Sequence, residues 1–166
     1  MKTQGKPADA LTPVSAVVLT CNEERNIEPT LRTLSGWAQE IQVVDSGSTD
    51  RTLEIARRYT DNITVHPYTG HASQWAWLLR ELPLACEWLL LMDADFLLTE
   101  RLKSQIRAAV LNSPPEVTGY FVKHRYVFRG KPIRFGGTKK WWLRLVRHRQ
   151  AEVDTSELVD FRLIVR

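Results

Sequence analysis

The sequence predicts an α/β domain, a mostly parallel sheet flanked by helices, with mixed or antiparallel strands added in the C-terminal third. Three observations predict it. Short apolar runs alternate with stretches of helical periodicity, each run ends in a polar turn, and beyond Ser113 the period changes to two.

Residues 1–13 are polar, with Pro, Gly and Lys and no apolar signal-peptide core, and are expected to be a disordered lead to a single domain over 14–166. Residues 15–20 (SAVVLT) are a short run of the kind that forms a strand buried on both faces. Asn22 is then expected to cap a helix whose first turn holds Glu23 and Glu24, with Ile27, Leu31 and Leu34 at helical spacing. The cycle repeats. Residues 41–45 read as a strand, 46–48 as a turn, and 50–59 as a helix with Leu53, Ala56 and Tyr59 inward. A short strand at 63–65 and a helical face of Trp75, Leu78, Leu79 and Leu82 follow. Residues 88–92 (WLLLM) are the fourth strand, and Leu102, Ile106, Ala109 and Val110 line another helix. Past the Ser113-Pro114-Pro115 loop, 120–128 and 142–146 alternate as strands do. The division expected is a ligand-binding part over 14–115 and the start of a second, truncated part over 116–166, because the sequence stops inside an apolar pattern.

Composition excludes several classes. The 166 residues carry 43% hydrophobic and 25% charged side chains, enough to bury a core. The two cysteines, Cys21 and Cys86, have no disulfide or zinc spacing and suit a reducing, cytoplasmic setting. The longest apolar run, 88–92, falls far short of the roughly 20 residues of a membrane span. Charge is unevenly placed. Residues 119–149 hold ten Lys or Arg and no Asp or Glu, which predicts an anionic partner such as a diphosphate, an anionic membrane surface met peripherally, or a nucleic acid.

Open parallel sheets bind ligands beyond the carboxyl ends of their strands, where Thr20-Cys21-Asn22, Asp45-Ser46-Gly47 and Asp93-Ala94-Asp95 all fall. Two carboxylates one residue apart at the end of an apolar strand should project from the core, because burying both is costly. Oxygen ligands of this kind suit Mg²⁺ or Mn²⁺, with substrate phosphate completing the shell. The four histidines are dispersed in sequence and are expected to be surface or satisfied core residues. The chain has neither a P-loop nor a G-x-G-x-x-G motif.

Three stretches, VVLTCNEERNI (17–27), VVDSGSTDRT (43–52) and LLMDAD (90–95), taken in that order, resemble family 2 glycosyltransferases of the GT-A (Rossmann-like) fold, most closely the bacterial lipopolysaccharide-core and cell-envelope type. The resemblance implies a metal-dependent, inverting transfer, of the hexosyltransferase class, from a nucleotide-diphosphate sugar to a lipid-linked or polysaccharide acceptor. It places Thr20, Asn22 and Glu23 against the nucleotide and Asp45 on the base or ribose. Ser46 stands where many relatives have a second Asp. Gln74 is retained from a donor-side pattern, and core filling is expected of Trp75 and Trp77. Asp93 is placed near ribose and metal, and Asp95 is a direct metal ligand. Phe96 replaces the Glu that often follows the triplet. Relatives take their base from downstream of the triplet, where Glu157 is the first choice and Asp160 the second. Two other readings compete: a nucleotidyltransferase, disfavoured by the lack of a Gly-rich N-terminal loop, and a binding module, either a truncated transferase that holds nucleotide without turnover or a nucleic-acid binder using the basic segment and its aromatics.

Overall fold

The apolar run at 15–20 becomes an interior strand because its side chains are fit for burial on both faces. In the computed structural model, which describes residues 10–133, 141–154 and 162–165, β1 (Thr12–Thr20) turns Val14, Ala16 and Val18 to one face and Val17 to the other, all fully buried. There follow α1 (Ile27–Leu34), β2 (Ala38–Asp45), α2 (Thr52–Ala56), β3 (Ile63–Val65), α3 (His71–Glu81), β4 (Trp88–Asp93) and α4 (Glu100–Asn112). The later strands are β5 (Gly119–Lys123), β6 (Val127–Phe128), β7 (Lys131–Pro132), β8 (Trp141–Arg147), β9 (Ala151–Asp154) and β10 (Arg162–Val165).

A six-stranded sheet has the order β3-β2-β1-β4-β8-β5. Its first four strands are parallel, and β8 runs antiparallel to both β4 and β5, so the mixed sheet is as expected. One face packs Ala16, Val18, Leu90 and Met92 under Leu31 and Leu34 of α1, Ile55 of α2 and Ile106 of α4. The other packs Val17, Val44, Leu89 and Leu91 under Trp75, Leu78 and Leu79 of α3. Each fully buried side chain of this size contributes about 1.5–3 kcal/mol over its exposed state, so the two layers fix the sheet edge that carries the polar turns.

Several boundaries differ from expectation, each for a physical reason. Of the lead expected over 1–13, residues 1–9 lie outside the described residues, while Thr12 and Pro13 belong to β1, and Thr12 N donates to Trp37 O at 2.7 Å. Asn22 does not cap a helix. Its φ of 54° puts it in the left-handed region that Asn tolerates, and α1 begins five residues later behind Asn26. Glu23 and Glu24 therefore lie in a loop, and Glu28 supplies the first-turn acid. The helix expected over 50–59 is regular only across α2, where Ala56 is buried as expected and Ile55 is buried instead of Leu53, which is half-buried. The strand expected over 120–128 is two: β5 ends at Lys123, and β6 folds back on β7 through Arg129 and Gly130. Their φ values of 48° and 74° are those of a two-residue type I′ turn, and Gly130 adopts such a backbone at no steric cost.

Candidate active site

The strand order 3-2-1-4 sends the chain one way from β1 to β2 and β3 and returns it on the other side as β4, which creates a switch point at the carboxyl ends of β1 and β4. Register makes these ends level: Leu19 pairs with Asp93, and Thr20 with Asp45. Asp45, fully buried, is consumed by its own turn. Gly47 N and Ser48 N donate to its Oδ2 at 2.9 and 2.8 Å, and Ser48 Oγ donates to its Oδ1 at 2.5 Å. Gly47 holds φ 95° there, a left-handed backbone that favours glycine.

The loops after β1 and β2 are sewn together. Three successive amides of the first, Asn22 N, Glu23 N and Glu24 N, donate to Ser48 Oγ, Thr52 Oγ1 and Asp50 Oδ2 at 2.8, 2.8 and 3.1 Å. In return Thr49 N donates to Asn22 Oδ1 at 2.8 Å and Arg51 N to Glu24 Oε2 at 3.2 Å. Gln74 is buried behind this clamp. Its Nε2 donates to Ser46 Oγ at 3.3 Å, and its Oε1 lies 2.8 Å from His66 Nδ1. Trp75 fills the core as expected, and Trp77 stacks on His66 with ring centroids 3.9 Å apart. Thr20 Oγ1 is buried at the floor of the edge with no hydrogen-bond partner among the described residues, a donor and acceptor left for something else.

The triplet ends β4 as a tight turn, with Phe96 N donating to Asp93 O at 3.1 Å and Thr30 Oγ1 donating to Ala94 O at 2.6 Å. Asp93 accepts Arg144 Nη2 at 3.0 Å, and the nearly buried Arg144 side chain, reaching in from β8, lies over the Phe96 ring at 5.0 Å. Asp95 faces solvent beyond it. Loss of solvation first, then the neighbouring charge of Asp93, and also that of Glu23, raise the Asp95 carboxyl above its ordinary range. Two histidines lie near enough to feel the charges of Asp93 and Arg144. His124 meets Phe96 edge-on at 4.6 Å, and desolvation, then Arg144, depress it to about 4 against the pull of Asp93. His71 is also lowered, mainly by desolvation, while accepting Trp75 Nε1 at 3.3 Å.

The structure thus brings Thr20, Asn22, Glu23, Asp45, Ser46, Gln74, Asp93 and Asp95 to one edge, while Glu157 and Asp160 lie outside the described residues. Sequence reasoning missed Arg144 and gave no place at the site to His71, which is exposed, or His124, which is half-buried. The available signal was Arg144 itself, a cation set between Leu143 and Leu145 in an apolar strand.

Among the described residues no group of three or more His, Cys, Asp or Glu could hold a metal. A carboxylate pair that already suffers from its own negative charge fits an ion taking most of its ligands from phosphate and water, as Mg²⁺ and Mn²⁺ do.

The sequence pattern of glycosyl transferase family 2 matches residues 15–160, nearly the whole chain. The chain belongs to glycosyltransferase family 2. Among its family 2 relatives, the lipopolysaccharide core biosynthesis glycosyltransferase LpsC of Rhizobium meliloti is 29% identical over 157 residues, which cover 89% of this chain and 55% of LpsC. An uncharacterized glycosyltransferase of Rickettsia bellii is 34% identical over 93 residues, 56% of this chain and 31% of the relative. This family 2 chain therefore spans about a third to just over half the length of these relatives. The mannosyltransferase PcManGT of Pyrobaculum calidifontis, solved with GDP-Man and Mn²⁺, has a TM-score of 0.54 at 26% identity, covering 70% of this chain and 37% of that one. The fold is that of GT-A glycosyltransferases.

Proposed function

We propose that the chain forms the donor-binding part of a metal-dependent, inverting glycosyltransferase, of the hexosyltransferase class, acting on a lipid-linked or cell-envelope saccharide acceptor. The observation that carries this reading is the carboxylate pair at the end of β4, level with the ends of β1 and β2 and flanked by a buried arginine. The GDP-Man and Mn²⁺ bound by PcManGT and the lipopolysaccharide-core role of LpsC support the donor, metal and acceptor classes.

In this reading Thr20 Oγ1 and the sewn loops receive the nucleoside, with Asn22, Glu23 and Ser46 along the rim. Asp45 sets the shape of the rim through its turn, so its part toward the base or ribose is to hold the Gly47-Ser48 backbone in place. Asp95, with Asp93 beside it, would hold Mn²⁺ or Mg²⁺, which supplies Lewis-acid stabilisation of the departing diphosphate. Arg144 fixes Asp93 and adds a cation on the diphosphate side in a partly desolvated setting, where charge interactions are strong. Phe96 and the neutral His124 wall the site against water. Glu157, with Asp160 second, is the candidate to take the acceptor hydroxyl proton. Glu157→Gln is expected to lower kcat by on the order of 10²–10⁴ with donor binding unchanged. Steady-state turnover and donor calorimetry measured together check it.

The direct test of the donor site is a thermal-shift panel of GDP, UDP and their sugar conjugates with and without Mn²⁺, since a ligand of the native state raises its apparent stability. A metal-dependent rise with one nucleoside diphosphate is expected. No rise with any of them overturns the reading.

A further inference from the structure

The hairpin of β6 and β7 buries none of its own side chains. Val127 and Phe128 are 61% and 65% exposed, and Ile133, whose N donates to Tyr126 O at 2.9 Å, is exposed beside them. Trp141, at the start of β8, is 60% exposed. A two-stranded hairpin is marginal in water unless it packs on something, and among the described residues these apolar side chains stay exposed. Cations surround them. Arg129 sits 5.6 Å over the Phe128 ring, Lys123 sits 5.6 Å over the Trp141 ring, and Lys131 is opposite Phe128. No Asp or Glu occurs between 119 and 149 to offset them.

We infer that this hairpin, with Lys123 and Trp141 at its base, docks the protein on an anionic lipid surface. Apolar and aromatic side chains ringed by Lys and Arg match the boundary between lipid headgroups and acyl chains, the rings entering while the cations meet phosphate. The aliphatic part of the patch, Val127, Pro132 and Ile133, offers no face on which a nucleic-acid base would stack, which favours lipid over a single-stranded nucleic acid. Topology adds direction. β5 is antiparallel to β8, and β8 to β4, so the hairpin leaves β5 at the edge where β4 ends in Asp93, and His124 touches Phe96 there. Docking by the hairpin turns the candidate active site toward the bilayer. The value of that orientation for a lipid-linked acceptor rests on the transfer reading above, whereas the docking does not.

The test is sedimentation of the whole chain with phosphatidylcholine vesicles and with vesicles that also contain phosphatidylglycerol, without nucleotide or metal. Wild type is expected to partition at least about tenfold better onto the anionic vesicles, with the gain lost in high salt. V127S/F128S is expected to lose at least about tenfold in partitioning, from the apolar area no longer buried. R129A/K131A should lose about fivefold per cation. All four residues are exposed, so both variants should keep the wild-type melting temperature. Equal binding to both vesicle types, or wild-type binding by both variants, overturns the inference. So does self-association, or oligonucleotide binding, that depends on these side chains while vesicles are ignored. A failed nucleotide panel alongside intact vesicle binding sinks the transfer reading alone, and the converse result sinks only the docking.

Discussion

The loops beyond β1 and β2 and the triplet beyond β4 share one sheet edge and are finished in opposite ways. In the loops the acidic groups are answered by protein donors: Asp45 by its own turn, Asp50 by Glu24 N and Thr52, and Glu24 by Arg51. At the triplet one arginine serves Asp93, and Asp95 stays in a field of like charge. Under the proposed transfer reading, the difference separates a rim prepared by rigidity from one prepared by electrostatic deficit. The loops are complete without a ligand, whereas the triplet favours an added cation.

The largest effect that would break this contrast is at Asp95. Asp95→Ala is expected to weaken Mn²⁺-dependent nucleoside diphosphate binding at least about a hundredfold, by loss of the proposed metal ligand, while leaving the melting temperature at or slightly above wild type. Calorimetry showing undiminished metal-dependent binding in that variant sinks the assignment. Asp45→Ala should do the reverse. Leaving two backbone amides and the Ser48 hydroxyl without their acceptor is expected to cost about 2–4 kcal/mol of stability, read by denaturant melts. Arg144→Met sharpens the comparison. It should cost about 1–3 kcal/mol without metal by stranding Asp93, and Mn²⁺ should restore more of that stability than it adds to wild type.

The last effect concerns pH. His124 has a folded pKa of about 4 against an ordinary value near 6.5, so the folded state disfavours its protonated form. Stability from this group is fully present above about 6.5 and is lost as pH falls toward 4. His124→Gln should flatten the melting temperature over that window, and an unchanged slope would remove His124 from the account.

The parallel strands and the three polar strand ends were legible because short apolar runs with abrupt polar stops need no tertiary information. The start of α1 was not. Asn22 and the two glutamates make a good helix entry locally, but their hydrogen-bonding groups are taken by Ser48, Thr49, Asp50 and Thr52, which only the neighbouring loop could reveal. Arg144 was hidden for a related reason. Its place beside Asp93 depends on β8 running antiparallel to β4, a register that periodicity within β8 does not specify. Charge counting merged it with nine other cations of the segment. The same holds for His71 and His124, whose nearness to Asp93 depends on where α3 and the end of β5 are placed.

The sewing of the two loops also bears on how this edge breathes. Each loop supplies amides to the other's side chains, so neither can detach while the other keeps its hydrogen bonds. The amides of Asn22, Glu23 and Glu24 and those of Thr49 and Arg51 should exchange with solvent deuterium as one opening unit, at a single free energy, rather than fraying separately.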